Sequence, residues 1–438
     1  YLIKEISMSK EENRKNFSKY VSQNILGMIG FSCYVLADSY FISIAKGADG
    51  LTALNLVMPL YSIIFSIGEM IGVGSAIRYA ISKIKKDADA DDYFWNALIW
   101  RILSSMLFVF AGIFFSADIM RVLGADEHIV AVGNNYTKIF MCFAPMFMCN
   151  YVTNAFVRND GAPGIAMSAT LFSSLFNIVF DYILMFPMNL GMEGAALATA
   201  LSPIIGMGIC SIHFFSKKSS VRLVVCKPSV RKLVAGCQLG VSAFVGEMSS
   251  AVITLAFNFV ILKLAGNVGV AAYGVVANIA IVTTAVFNGV AQGSQPLISS
   301  CFGRGDKDGC TQLKRMGYTT AFVLAAVMYS ILFIFAGQFV AVFNSEGSEM
   351  LRLYATEGVK LYFIGIFFAG INIVGGGAFS ATEDAFKAAV VSVARGFVLI
   401  LGAVFVMSAF FGMTGVWLAY AVAEGITTFI MLVMAMRV

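Results

Sequence analysis

The sequence predicts an all-α integral membrane protein: twelve transmembrane helices in two six-helix bundles, related by a pseudo-two-fold axis along the membrane normal. Three observations predict it. The chain is too apolar for a water-soluble protein, its apolar runs have bilayer length, and its second half repeats its first.

Of 438 residues, 59% are hydrophobic and 13% are charged, and the mean hydropathy is +0.83. A soluble domain carries about a quarter charged residues, so this chain lacks the charges to cover a water-facing surface. Reading apolar runs between polar breaks gives spans at 17–44, 53–78, 93–115, 136–158, 165–186, 191–214, 236–263, 270–298, 317–340, 353–381, 388–411 and 413–436. Each is close to or above the roughly 20 residues that cross a bilayer. The runs are continuous and do not alternate with period two, which favours helices over a barrel. The turns Pro187–Gly191 and Gly412–Gly415 are short and imply antiparallel neighbours. Tyr1–Tyr20 is charged and polar, unlike the apolar core of a cleavable leader.

Charge placement sets the orientation. With the N-terminus in the cytoplasm, the inside segments hold 22 Lys and Arg, from Lys4 through Arg158 to Arg437, against 6 outside: Lys46, Arg121, Lys138, Lys263, Arg352 and Lys360. That bias satisfies the positive-inside rule and puts both termini in the cytoplasm. It also accounts for the net charge of +5 without nucleic acid, since these charges anchor loops at an anionic leaflet. The stretch "DADADD" (Asp87–Asp92) reads as a solvated loop. Two His and eight Cys form no CxxC and no HxxxH, so no metal and no cofactor is expected; Cys33, Cys142, Cys149 and Cys210 sit in apolar runs as packing residues, and His213 stands alone near a helix end.

The halves match in register. "GADGLTAL" (Gly47–Leu54) aligns with "GNVGVAAY" (Gly266–Tyr273), Gly74-Ser75 with Gly293-Ser294, and "GMEGAALATA" (Gly191–Ala200) with "GMTGVWLAYA" (Gly412–Ala421). Six helices per repeat is an even number, so both repeats enter from one side and their axis runs along the membrane normal. The expected units are 1–216, a basic linker 217–235, and 236–438. Such bundles can rock about a cavity between them.

Five acids fall inside spans: Asp38, Glu69, Asp181, Glu247 and Glu424. A carboxylate at the bilayer centre costs at least roughly 2.5 kcal/mol, so such residues usually face a cavity and mark an ion or substrate path. Asp38 and Asp181 read as functional and Glu247 as a further acidic site. Glu69 and Glu424 read as protonated carboxyls that pack helices. Asn177 and Asp181 are four apart and share a helix face, and Asn154 and Thr199 can add neutral oxygens. Carboxylates with amide and hydroxyl oxygens suit H⁺ or Na⁺, and two close acids cannot both ionise cheaply. The repeat partners of Asp38 and Asp181 fall near Phe257–Asn258 and Gly402–Val404, where there is no acid. The ion site is therefore expected in the first half. The 23 Met, 39 Phe and 16 Tyr supply apolar and aromatic walls, and aromatic faces attract cations.

These residues resemble a family. "LADSYFIS" (Leu36–Ser43), "RNDGAP" (Arg158–Pro163), "NIVFD" (Asn177–Asp181), "GMEGAALATALS" (Gly191–Ser202) and "AQGSQPLISSCFGRGD" (Ala291–Asp306) are similar to the multidrug and toxic compound extrusion transporters, specifically the bacterial DinF-type branch. The resemblance implies a coupling-cation site at Asp38, Asn177 and Asp181, joined by Thr199 and Asn154, with Glu247 at a position where related members carry an acid. It implies secondary export of lipophilic organic cations in exchange for H⁺ or Na⁺, by a monomer in a bacterial inner membrane. Many members carry a Pro early in helix 1. Here that stretch is "SQNILGMIG" (Ser22–Gly30), so a bend would rely on Gly27 and Gly30. The alternative is a flippase for a lipid-linked precursor of the same superfamily. It would want a strongly basic cavity, whereas the spans hold chiefly Arg101 and Arg395, near their ends. An enzyme is not expected, and no GxxxxGK[ST] exists for a primary pump.

Overall fold

A chain in hydrocarbon must satisfy its backbone N–H and C=O groups within itself, and this one does so with helices. The structure, a computed structural model, describes residues 10–343 and 348–436. Among them, nine helices are long and apolar enough to cross a membrane, and a bent pair, Glu127–Cys142 with Ala144–Asn159, makes a tenth. Two of the ten are each broken midway by a glycine, which resolves them into twelve segments. These are α1 (Lys10–Gly47), α2 (Thr52–Lys85), α3 (Asp92–Val122), α4 (the bent pair), α5 (Pro163–Met185) and α6 (Gly191–Phe214). The second half follows with α7 and α8 (Val230–Gly303, broken at Gly266), α9 (Lys307–Ile334), α10 (Glu349–Ala381), and α11 and α12 (Ala385–Ala435, broken at Gly412).

The breaks repeat as the sequence does. Gly47 (φ 59°, ψ −142°) and Gly266 (φ 61°, ψ −156°) end α1 and α7, and Gly412 (φ 57°, ψ −136°) ends α11. Gly191, the repeat partner of Gly412, also has positive φ (51°). An L side chain is excluded from that region, so glycine is what lets each helix stop and the next begin within a residue or so.

Most helices outrun their apolar stretches, because charged turns extend past the lipid and are capped. Asp126 Oδ1 accepts from Ile129 N at 2.8 Å, which starts α4 at Glu127, nine residues before the expected span. Asp306 Oδ1 caps Gly309 N at 2.8 Å and opens α9. Ser229 caps Lys232 N, so α7 starts at Val230, inside the expected linker. The expected single span 136–158 bends by 45° at Phe143, where Pro145 stands in the first turn of the second piece. The expected span 317–340 is likewise broken at Phe335, after which a short helix runs Ala336–Phe343. Gly27 and Gly30 do not bend α1, which stays helical to Gly47. They let α5 approach instead, since a Cβ on Gly30 would lie 2.5 Å from Leu171 Cδ2.

The halves meet through glycines at one end. A Cβ on Gly74 would lie 1.9 Å from Gly236 O, and one on Gly240 would lie 1.9 Å from Met70 O, so α2 and α7 touch backbone to backbone. Gly289 and Gly293 bring α8 against α1, where a Cβ would lie 2.6 Å from Ile25 Cα and 2.7 Å from Val21 Cα. Gly74 and Gly293 are repeat partners, so the α2–α7 and α1–α8 crossings are related by the pseudo-two-fold. Arg78 pairs with Glu383 at this end, and Asn13 Nδ2 donates to Gln312 Oε1 at 3.2 Å. It is the end with the basic excess; Lys4 and Arg437, counted in that excess, lie outside the described residues.

Three readings of charges change. Arg158 does not anchor a loop: it is 4% exposed and donates across the halves to Gln292 Oε1 at 2.7 Å. "DADADD" is not free in solvent. Asp91 holds Lys83 at 2.7 Å, while Asp89 and Asp92 hold Lys232 at 2.9 and 2.6 Å and so tie the α2–α3 loop to α7. Burial opposes the Lys232 charge, but the two carboxylates outweigh it and raise its pKa. His213 is not alone. Its Nε2 lies 2.7 Å from Asp160 Oδ2, which also accepts from Ser220 N at 2.9 Å and pins the start of the linker.

Two measurements check this arrangement. On a cysteine-free background, Met188→Cys is expected to label with an impermeant maleimide from outside, and Lys217→Cys only after permeabilisation; the reverse refutes the orientation. Gly240→Ala is expected to force α2 and α7 apart and raise labelling of Gln292→Cys from the basic end. Unchanged labelling would mean that this crossing does not close that end.

Candidate functional site

Asp38, Asn177, Asp181 and Thr199 come from α1, α5 and α6. They are 6%, 0%, 0% and 1% exposed. Asp181 lies one helical turn beyond Asn177, so both point from α5 toward α6. In the orientation that satisfies both ends of its amide, Asn177 donates to Asp181 Oδ2 at 3.1 Å and accepts from Thr199 N at 3.3 Å and Thr199 Oγ1 at 3.1 Å. Asp38 and Asp181 lie within electrostatic range of each other, and Tyr34, Tyr61 and Tyr136 within range of both. The Tyr61 and Tyr136 hydroxyls bond to each other.

One oxygen of each acid, Asp38 Oδ1 and Asp181 Oδ1, is buried without a protein partner. A buried carboxylate oxygen without a partner is costly. It is the arrangement a site has when a proton or a cation supplies the missing contact.

Asn154 and Glu247 lie elsewhere. Asn154 Nδ2 donates to Ala166 O at 3.0 Å and Thr170 Oγ1 at 3.1 Å, not to the Asp181 group. It faces a cavity of about 100 Å³ that Glu247, Glu69 and Arg158 also line. Glu69 comes from α2 and Glu247 from α7, so each half contributes an acid to this cavity. Phe31, Phe65, Phe147 and Tyr151 form much of its wall. Glu69 is thus a cavity residue and not the packing carboxyl that the sequence suggested.

Two arginines that the sequence puts near helix ends lie within the bundle, Arg101 buried and Arg395 partly buried. Arg101 is wholly buried in α3 and donates to Met148 O. Its guanidinium lies against Gly72, where a Cβ would come within 2.7 Å of Nη2. Gly68 and Gly72, four apart on one face of α2, were the legible sign of that slot. Arg395 pairs with Glu424 at 2.7 Å in the second half. Glu424 is therefore one member of a charged pair and not a lone protonated carboxyl.

The MatE family model matches the chain twice, over residues 24–183 and 243–406. The chain belongs to the MatE family. The two matches fall one in each half, as the repeat requires, and membership makes this chain a multi-pass membrane transporter rather than an enzyme. Among characterised relatives, "Multidrug export protein MepA" of Staphylococcus aureus (strain MRSA252) is 27% identical over 414 residues, 92% of this chain and 89% of that protein. The protein of the same name from Staphylococcus saprophyticus is 26% identical over 409 residues, with the same coverage. Among solved structures, an outward-facing multidrug resistance MATE transporter superposes with TM-score 0.88 at 20% identity, covering 97% of this chain and 96% of that one. A MATE crystal structure in complex with MaL6 superposes with TM-score 0.91, also at 20% identity and with the same coverage. These structures share the fold.

Since each acid leaves an oxygen without a protein partner, Asp38→Asn and Asp181→Asn are each expected to insert normally and to keep the thermal midpoint of the purified protein within about 2 °C, or raise it. A fall of many degrees would make the acids structural.

Proposed function

We propose that this MatE transporter exports lipophilic organic cations in exchange for H⁺ or Na⁺. The single observation that carries the reading is the pair of buried acids, Asp38 and Asp181, each with an unpartnered oxygen, with Asn177 joining Asp181 to Thr199. The names of the multidrug export relatives support the substrate class. So does the cavity: Glu69 and Glu247 outnumber Arg158, and its aromatic walls suit a flat or lipophilic cation. The same balance argues against a flippase for a pyrophosphate-bearing lipid, which needs a basic cavity.

The moving units are 1–216 and 236–438, joined by 217–235. The tight crossings lie at the basic end, so with that end in the cytoplasm the protein is closed inward and faces outward. The reading places both termini in the cytoplasm of a bacterial inner membrane. One chain contains the acid site and the inter-half cavity, so a monomer suffices. In the empty site the two acids share at most one proton. Arrival of H⁺ or Na⁺ neutralises the remaining charge and lets α1, α5 and α6 close around it, which shrinks the adjoining space and releases the organic cation outward. The cation drives the cycle only by the difference between its affinities for the two states. Asn154, which reaches from α4 to Ala166 and Thr170 of α5, links the ion site to the cavity in this scheme, and Glu247 and Glu69 hold the organic cation.

The test is equilibrium binding of a fluorescent lipophilic cation to purified protein. Lower pH or added Na⁺ is expected to weaken binding in the wild type and leave Asp38→Asn unaffected. In proteoliposomes with proton and sodium gradients imposed separately, Asp38→Asn and Asp181→Asn are expected to lose export by at least about tenfold. Equal sensitivity of wild type and Asp38→Asn would move the coupling away from this pair, toward Glu247.

A further inference from the structure

The second half contains a charged cluster for which the export scheme has no use. Arg395 Nη2 donates to Glu424 Oε1 at 2.7 Å, and its Nε lies 3.1 and 3.2 Å from the two carboxylate oxygens. Asn372 Nδ2 donates to Glu424 Oε2 at 2.7 Å and to Glu424 O at 2.9 Å. Thr428 Oγ1 lies 3.0 Å from Asn372 Oδ1. Glu424, Asn372 and Thr428 are 3%, 1% and 8% exposed. Tyr362 and Tyr420, stacked 4.3 Å apart, are in electrostatic range of Arg395. Arg395 leaves α11 from a π-helical turn, Ala394–Val398, an irregularity found frequently at functional sites. Two apolar side chains would fill this space at lower cost.

The repeat shows what stands at the same place in the first half. Gly161 and Glu383 are equivalent, each with positive φ just before α5 and α11. Counting back from them, Asn372 falls on Asn150. Counting forward from Gly191 and Gly412, Glu424 falls on Pro203. By either count Arg395 falls on Ser173 or Ser174. Asn150, Ser173, Ser174 and Pro203 all line the open cavity of the first half, and Asn150 Oδ1 is buried there without a protein partner. A space that is open in one half is filled in the other by a guanidinium and the carboxylate that holds it.

We propose that the Glu424 carboxylate, oriented by Asn372 and through it by Thr428, is a monovalent-cation site whose resident occupant is the Arg395 guanidinium. The Glu424 carboxylate oxygens that would hold a planar organic cation or Na⁺ hold instead a side chain tethered to the same helix bundle. The second half therefore carries its cation permanently, and deleting the guanidinium frees the site for one from solution. This rests on the pair's geometry and the repeat, not on the direction or ion of transport.

The test is the thermal midpoint of purified full-length protein in detergent, which separates this proposal from any failure of the export reading. Arg395→Ala orphans the Glu424 carboxylate, and its midpoint is expected to fall by about 5 °C or more. Guanidinium chloride at millimolar concentration is expected to restore it saturably in Arg395→Ala, with Na⁺ weaker and urea without effect, and to leave the wild type unchanged. Arg395→Ala/Glu424→Gln is expected to regain stability and lose the response. Should Arg395→Ala not accumulate, its expression with guanidinium in the medium and the accumulation of the double variant decide the matter, since both are expected to yield protein. A double variant that regains stability while Arg395→Ala ignores guanidinium and Na⁺ would reduce the cluster to an ordinary ion pair and overturn the proposal. Failure of both variants to fold, with or without guanidinium, would overturn it as well.

Discussion

Hydrocarbon offers no hydrogen-bond partner, and that constraint orders the whole molecule. It makes every span a helix, and it makes each polar side chain inside a span costly unless it finds a partner or faces a cavity. The charged groups within the spans sort on this basis. Arg395 and Glu424 answer each other. Arg101 donates to the Met148 carbonyl and lies against Gly72. Glu69, Glu247 and Arg158 face an open space. Asp38 and Asp181 keep buried oxygens that no protein group reaches, and an acid left so in a low-dielectric interior is poised to take up a proton or a cation.

Glycine does two separate jobs in meeting this constraint. At Gly47, Gly266 and Gly412 it supplies a backbone conformation closed to other residues, so that a helix can stop and the next start with little loop exposed. At Gly74, Gly240, Gly289 and Gly293 it supplies absence of bulk, so that backbones of opposite halves touch. Both uses obey the repeat. The first sets the architecture of each half, and the second sets where the halves can close on one another. A contact made by backbone against glycine is either formed or broken, which suits a part that has two positions.

The repeat also measures how far the halves have diverged. Their turns and crossings remain equivalent, while their interiors do not. At the level of Asn150 the first half has a cavity; at the equivalent level the second has Asn372 bonded to a carboxylate that is already neutralised by Arg395. An open, polar-lined space in one half and a closed ion pair at the equivalent place in the other is an asymmetry of chemistry on a symmetric frame.

The sequence by itself determined the membrane class, the twelve spans, the repeat and its axis, the family, and the neighbourhood of Asp38, Asn177, Asp181 and Thr199. The class and spans follow from continuous apolar length, the repeat from matched segments, and the pairing of Asn177 with Asp181 from a four-residue spacing on one helix face; the family, and with it the gathering of Asp38 and Thr199 at that pair, came from the resemblance of the quoted motifs. It did not determine where helices end, because caps such as Asp126 and Ser229 carry them past their apolar runs. Nor did it determine the partners of buried charges. Arg158 with Gln292, His213 with Asp160, and Arg395 with Glu424 join residues 134, 53 and 29 positions apart, and no local spacing encodes such a meeting. Only the packing of helix against helix decided that Asn154 serves the cavity and not the acid pair, and that Glu69 and Glu247 face the same space from opposite halves. A side chain's partner depends on the rotation and depth of two helices at once, and those are set by the tertiary contacts of the whole bundle.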